Sequence, residues 1–216
     1  MFMRTDRWFA AIAAAMMLAG CAGGGDIDSA NGKAVALTKE QVRETLPNDG
    51  AMTGWKESAR PAAVEMDKLY RSQACPIKGN AGCENSRFFG ASTFRRDDSA
   101  AMVTFMIVAY DSGQAAREAY DVLWNHYGKR AGQRGKAFSL GRIGERRDAR
   151  FDSPGFHGEP RTVTQTRVGT TLLWTMVDSM EKSKDAVNED RARDLATMLA
   201  KRARQAQNGD APSAAL

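Results

Sequence analysis

Histidine is the side chain best suited to acid–base catalysis near neutral pH, and this sequence has only two, His126 and His157. His126 falls in a predicted helix, and we interpret it as a surface or boundary residue. His157 falls in a loop between Gly155 and Gly158, which is the better position for a catalytic group. The sequence contains no GxSxG, HExxH, P-loop or GxGxxG motif. We therefore predict no catalytic residue, no metal and no cofactor, and keep a hydrolase that uses His157 as the weakest alternative.

The N-terminus has the organisation of an export signal. Arg4 and Arg7 precede an uninterrupted apolar stretch of eleven residues from Trp8 to Leu18. A helix that spans a membrane needs about 20 apolar residues, so this stretch is too short to cross one. Its length instead matches the apolar core of a secretory signal peptide. We predict that this segment directs export of the chain.

The apolar stretch ends in Leu18-Ala19-Gly20-Cys21, which resembles the lipobox of bacterial lipoproteins. The resemblance implies that residues 1–20 are a lipoprotein signal peptide and that Cys21 carries a diacylglycerol thioether, with a fatty acid such as palmitate on its new amine. Two or more acyl chains anchor a protein stably. The resemblance thus implies a mature chain anchored by lipid to the outer face of the cytoplasmic membrane. The alternatives to a lipoprotein are an exported protein with an ordinary signal peptide and an unrelated cysteine, and a cytosolic protein.

The other two cysteines, Cys75 and Cys83, bracket a segment rich in turn-forming residues, CPIKGNAGC. In an exported protein, an even pair of cysteines at short separation favours a structural disulfide. Metal binding and redox catalysis are the rivals. Zinc sites usually combine CxxC spacing with further His or Cys ligands, and neither histidine stands at such a spacing.

The composition predicts one globular domain between two flexible terminal segments. The 216 residues are 43% hydrophobic and 26% charged, with 31 Lys+Arg against 26 Asp+Glu. The mean hydropathy of −0.47 excludes a polytopic membrane protein. Residues 21–36 are rich in Gly, Ala and polar side chains and predict a flexible tether. We predict a globular domain over 37–206 and a disordered tail over 207–216.

Positive charge concentrates between Lys129 and Arg150, where 22 residues carry eight cations against Glu145 and Asp148. A solvated face with local ion pairs is the simplest interpretation. The functional interpretation is a surface that faces headgroups, wall polymers or a phosphorylated ligand. Binding to nucleic acid is not expected. Such a site would interleave aromatic residues with the basic ones, and an exported chain leaves the compartment that contains nucleic acid. The candidate anion-facing residues are Arg142, Arg146, Arg147 and Arg150.

Aromatic residues of the predicted strands offer a second possible site. Such residues most often fill a core. They also line pockets for apolar ligands, and Met102, Met106 and Met176 would suit an adaptable lipid pocket. The candidate pocket residues are Phe88, Phe94, Phe105 and Trp174.

Periodicity predicts helices and strands that alternate in groups. Helices are expected over 39–46, after a Thr38–Gln41 capping box, and over 113–127 and 187–204. Strands are expected over 87–95, 101–110, 162–168 and 171–177, with one or two more in 138–151 and a short one after Trp55. The segment 64–71 is ambiguous. This order indicates an α+β fold with an antiparallel sheet.

Two patches resemble a known family. They are FFGASTFRR with AMVTFMIVAYDS and QAAREAYDVL, and RVGTTLLWTMVD with EDRARDLATMLAKRA. Over roughly residues 37–206 the chain is similar to actinobacterial envelope domains of the type found outside the membrane in a mycobacterial receptor serine/threonine kinase. The resemblance implies a single α+β domain with a curved antiparallel sheet packed by helices. The kinase-type domain carries two disulfides, whereas this chain can form only one, and no kinase segment is present in this sequence.

The resemblance and the export signal together predict a non-catalytic, extracytoplasmic sensor-type domain that binds an unknown ligand or an envelope protein. A structural or protein-interaction lipoprotein without a small-molecule site is the alternative.

Overall fold

A seven-stranded antiparallel sheet organises the chain, and the predicted α+β class is confirmed. The computed structural model describes residues 34–216 except 76, 78, 80, 97–99, 131–134, 155–157 and 180–187. The strand order is β1-β2-β3-β7-β6-β5-β4, and the sheet is open. The strands are β1 (Lys56–Glu65), β2 (Ser86–Arg96), β3 (Ala101–Tyr110), β4 (Lys136–Ala137), β5 (Arg146–Pro154), β6 (Pro160–Val168) and β7 (Thr171–Ser179).

Four α-helices pack on the two faces of the sheet. They are α1 (Lys39–Thr45), α2 (Lys68–Ala74), α3 (Gly113–Arg130) and α4 (Glu189–Gln207), and a 3-10 turn covers Asp49–Ala51. The predicted capping box at α1 is present, since the Gln41 amide donates to Thr38 Oγ1 over 3.2 Å and the Thr38 amide donates to Gln41 Oε1 over 2.9 Å. The ambiguous segment 64–71 divides into the end of β1 and the start of α2.

One face of the sheet, which we call the α4 face, carries the larger core. Strand residues such as Val103, Phe105 and Ile107 pack there against α1 and α4 and are fully buried. The predicted stripe of α4 is buried: Ala192, Leu195, Ala196, Leu199 and Ala203. Gly90 lets α1 approach closely, because a Cβ at this position would lie 2.7 Å from the Val42 side chain.

The opposite face, which we call the α3 face, carries a second core. Val108, Leu172 and Trp174 pack there against α3. The predicted disulfide joins Cys75 to Cys83 at the border of this core, with their Cα atoms 6.2 Å apart. Both cysteines are buried, and the end of the disulfide loop is tied to β3 because the Tyr110 hydroxyl donates to the Gly82 carbonyl over 2.7 Å.

Removing the disulfide is expected to destabilise the domain without unfolding it. The chain-entropy model gives about 2.5 kcal/mol for a loop this short, because the crosslink restricts mainly the unfolded chain. Urea unfolding of the Cys75→Ser/Cys83→Ser variant should therefore show a lower free energy of unfolding. Reduction of the wild-type protein should reproduce that loss, and an unchanged unfolding midpoint in both cases would contradict the prediction.

The structure corrects the predicted bounds of both flexible terminal segments where they meet the domain. Gln207 belongs to α4 and is buried, and the chain beyond it folds back, so the Leu216 amide donates to the Ala51 carbonyl over 3.0 Å. Polar side chains of α4 form hydrogen bonds with the backbone of this C-terminal segment, which has few apolar residues of its own. At the other end, the Val35 carbonyl accepts from Thr170 Oγ1 over 3.1 Å, so the predicted tether is attached to the domain by its last residues. Residues 1–33 lie outside the described part of the chain.

Among the described residues, none of the helices combines the length and apolar character needed to cross a membrane.

Candidate functional site

Helix α3 covers one part of the α3 face, and the half-buried residues beyond its main contacts form the candidate site. Six side chains project from this face beyond the main contacts of α3, and each is half-buried. They are small, hydroxyl-bearing or flexible and apolar. We call this set the open patch: Ala91, Thr93, Thr104, Met106, Val163 and Met176.

Strand register brings the open patch together from four strands. Thr93 of β2 pairs with Thr104 of β3, which pairs with Met176 of β7, and Met176 pairs with Val163 of β6. Directly paired residues of antiparallel strands hold their Cβ atoms about 5 Å apart, so this row is continuous. The neighbouring row runs from Ala91 through Met106 to the buried Trp174. The result is a contiguous, mainly apolar surface four strands wide.

Arginines edge the open patch. Arg161 of β6 pairs with Asp178 of β7 in the row beyond Val163 and Met176. Arg150 of β5 stands next to Val163 in the register, and its guanidinium lies over the Trp124 ring, 5.6 Å from the ring centroid. A molecule on the patch would meet apolar side chains at its centre and cationic groups at its edge.

A buried hydrogen-bond network fixes the position of Trp174 beside the open patch. Trp174 Nε1 donates to Gln165 Oε1 over 2.9 Å, and Gln165 Nε2 donates to the Tyr120 carbonyl over 2.8 Å. The Tyr120 hydroxyl donates to Asp148 Oδ2 over 2.9 Å. Burial, followed by the negative charge of Asp148, raises the pKa of Tyr120 above its usual range, so this hydroxyl stays protonated and acts as a donor. The network positions Trp174, and it suits binding better than proton transfer.

The predicted aromatic pocket is corrected, because its four members do not share one face. Phe94 and Phe105 are fully buried in the α4-face core, with ring centroids 6.1 Å apart in an edge-on contact, and Phe88 packs against the same core. Trp174 lies on the α3 face. Phe105 pairs with Thr175, and successive side chains of a strand alternate between faces, so Trp174 must point the other way.

The predicted anion-facing arginines are also divided. Arg146 contacts α3, where it pairs with Asp121 and its guanidinium lies 4.5 Å from the centroid of the Tyr120 ring. Arg147 belongs to the opposite face by strand alternation and is exposed, and Arg142 is exposed in the loop before β5. Local ion pairing accounts for Arg146, whereas anion binding by the others remains a prediction.

Described residues line surface cavities that contain neither a predicted aromatic residue nor a member of the open patch. One, of about 470 Å³, lies between α1 and β1 and is lined by charged groups that include Arg43, Glu57 and Arg60. Another, of about 330 Å³, lies between the disulfide loop and α3, beside Glu84 and Glu118. Both cavities are lined by charged groups and are open to solvent, so they do not suit an apolar ligand.

The remaining chemical candidates add no second site. His126 is half-buried on α3, while Cys21 and His157 lie outside the described residues. No group of three or more His, Cys, Asp or Glu side chains within the described part of the chain is placed to hold a metal ion.

Sequence reasoning missed the open patch, although part of its signal was present. Met106 and Met176 were recognised as adaptable side chains. Their exposure, however, depends on which part of the sheet α3 covers. Thr93 and Thr104 carry no distinctive signal, since threonine is common in strands.

Comparison with known proteins supports the fold alone. No protein-family model matches the chain, and no curated protein matches it. The fold is similar to that of the extracellular domain of PknH from Mycobacterium tuberculosis, with a TM-score of 0.51 at 10% sequence identity. The similarity covers 82% of this chain and 100% of the PknH domain. The predicted likeness to a receptor-kinase extracellular domain is confirmed for the fold, while lipidation and an actinobacterial origin stay predictions.

Proposed function

We propose that this chain is a lipid-anchored, extracytoplasmic domain that binds an amphipathic ligand on the open patch and performs no catalysis. The observation that carries the proposal is the patch itself, a mainly apolar surface that runs across four strands beyond the main contacts of α3. A sensor-type role fits the fold, which is shared with an extracellular domain. Extracytoplasmic placement is supported by the N-terminal export signal, and anchoring by the lipobox-like segment at Cys21.

The composition of the patch defines the class of ligand. Met106 and Met176 are flexible and polarisable, so they adjust to irregular apolar groups. The hydroxyls of Thr93 and Thr104 lie 3.4 Å apart, a long contact that leaves them available to a polar group of a ligand. Arg161 at the edge is paired with Asp178, so this side of the patch offers both charges to a polar group. An amphipathic molecule with an apolar body and a polar or hydroxylated end matches this arrangement.

Blocking the patch is expected to remove the ligand. Thr104 is half-buried at the centre of the row, so Thr104→Arg would place a long cation over Met176 and Thr93. Native mass spectrometry of protein purified from its own membrane should show a ligand adduct on the wild type and at least a tenfold weaker adduct on Thr104→Arg. Such a loss corresponds to about 1.4 kcal/mol of binding free energy.

Val122→Arg is the matched control, because Val122 is an exposed apolar residue on α3 outside the patch. This variant should keep the adduct. Equal adducts on the wild type, Thr104→Arg and Val122→Arg would place the ligand elsewhere and contradict the proposal.

A protein partner is the second candidate, because the apolar row crosses four neighbouring strands and so offers an extended contact surface. If native mass spectrometry shows no adduct, crosslinking at Thr104→Cys in intact cells should capture an envelope protein through this face.

A further inference from the structure

The described chain begins beside the turn between β6 and β7. The Thr170 hydroxyl of this turn donates to the Val35 carbonyl over 3.1 Å. Ala34 lies so close to Gly169 that a Cβ added to the glycine would be 2.8 Å from the Ala34 Cβ. The segment that leads back to Cys21 therefore leaves the domain at this end of the sheet, which we call the near end.

The length of that segment limits which end of the domain reaches the membrane. Thirteen residues, 21–33, separate the anchor position from Ala34. Their composition predicts a flexible chain, whose root-mean-square span is about 20 Å. Strands of ten residues such as β3 extend about 33 Å. The opposite end of the sheet therefore lies farther from the anchor than the near end, by more than the mean span of the segment.

Exposed cations lie at the near end, at the start of β5 and the start of α3. Arg117 and Arg147 are exposed, and neither forms an ion pair with a carboxylate among the described residues. Arg147 pairs in register with Thr166 and lies on the α4 face, whereas Arg117 stands on α3, so the two flank the near end from opposite faces. Burial lowers the pKa of Arg167, and the positive charges of Arg117 and Arg146 lower it further.

Carboxylates of the near end do not cancel this charge evenly. Glu145 is occupied by Arg167 and Arg204, and Asp121 is occupied by Arg146. The exposed acids Glu84 and Glu118 lie on the other side of α3, around the cavity beside the disulfide loop. Among the described residues, Arg117 and Arg147 therefore keep their positive charge exposed at the near end.

We infer that the near end faces the membrane with its β5 side closest, so that Arg117 and Arg147 contact anionic phospholipid headgroups. This inference rests on the lipid anchoring in the proposed function and adds an orientation to it. Basic side chains near an anionic membrane surface are attracted to it within about one Debye length, roughly 8 Å at physiological salt. In this orientation, the membrane is held away from the opposite end of the sheet.

The orientation also decides what the open patch meets. The patch row that contains Thr104 and Met176 lies beyond the α3-covered row of Val108 and Leu172, on the side away from the near end. The patch is then turned toward the space outside the membrane, where a ligand or partner arrives without crossing the headgroups.

Energy transfer from the domain to labelled lipid headgroups tests the orientation. The full chain would be purified in its acylated form and reconstituted in vesicles of phosphatidylcholine that contain anionic phosphatidylglycerol, whose surface charge attracts basic side chains. Gln114→Cys labels the near end, and Thr53→Cys labels the loop before β1 at the opposite end; both positions are exposed. With Cys21 acylated and Cys75 bonded to Cys83, the introduced thiol is the one that reacts.

The label at Gln114→Cys is expected to transfer more energy to headgroup acceptors than the label at Thr53→Cys. Adding Arg117→Gln and Arg147→Gln, or high salt, should shrink this difference. Arg60→Gln with Arg95→Gln removes the same charge from exposed positions on β1 and β2 and should leave the difference unchanged. Equal transfer from both labels on an acylated chain would overturn the inference alone. A mass without acyl groups would overturn the anchoring and the inference together.

Discussion

Cys21→Ser is expected to remove the acyl groups from the protein and to block the cleavage before residue 21. The thioether that would carry the diacylglycerol cannot form on a serine hydroxyl, and lipoprotein processing requires the cysteine. Each buried methylene of an acyl chain contributes about 0.8 kcal/mol to membrane affinity, so loss of the lipid outweighs any contribution from surface charge. Phase partitioning in a cloud-point detergent and intact mass measurement would follow the change.

The disulfide variant Cys75→Ser/Cys83→Ser is the control for Cys21→Ser. Its lost bond lies within the folded domain, so it should stay with the membrane and keep the mass of the lipid. A wild-type mass without acyl groups, or the same cleavage in Cys21→Ser as in the wild type, would show an ordinary signal peptide in place of a lipid anchor and would remove the first element of the proposed function.

Arg202→Met is expected to lower the free energy of unfolding by about 3 kcal/mol, because it strands several buried carbonyls at once. Arg202 is 4% exposed, and its guanidinium donates to the carbonyls of Thr45, Glu44 and Leu46 at the end of α1 over 2.8–3.2 Å. A further bond of 3.1 Å reaches Ala214 in the C-terminal segment. Burial lowers the pKa of Arg202 from its usual value, although an arginine remains charged at neutral pH. Urea unfolding would measure the loss.

Two variants sharpen the Arg202 experiment. Lys201→Met changes the neighbouring cation, which is exposed, and should alter the free energy of unfolding by less than about 0.5 kcal/mol. Arg202→Lys keeps the charge but lacks the planar fork that serves several carbonyls, so an intermediate loss is expected. Equal stability of Arg202→Met and Lys201→Met would mean that water replaces the guanidinium at no cost.

Local signals predicted many of the elements correctly. The Thr38–Gln41 box, the apolar run of β3 and the stripe of α4 each depend on residues within one or two turns, and all three are present in the structure. β1 was predicted only as a short strand, although it spans ten residues. Its edge position explains the difference, because an exposed edge strand tolerates charged residues such as Lys56, Arg60 and Glu65, which weaken the alternation of apolar and polar residues.

Long-range contacts account for the remaining misses. The tail was predicted to be disordered from its own composition, yet it is held by Arg202 and Gln205 of α4. The aromatic pocket failed for a related reason. Phe105 and Trp174 belong to different strands, and only the register between β3 and β7 decides that their side chains point to opposite faces.

By itself, the amino-acid sequence determined the order of the main helices and strands, the disulfide pairing and the segments that support export and anchoring. Each of these depends on short stretches of chain, because hydrogen bonding within a helix, turn chemistry and recognition by processing enzymes all act over a few residues. Only the tertiary structure decided which half of the sheet α3 leaves open, which arginines are neutralised by partners, and where the N-terminal segment leaves the domain. Those properties arise from packing between residues distant in the chain, and such packing has no local signature.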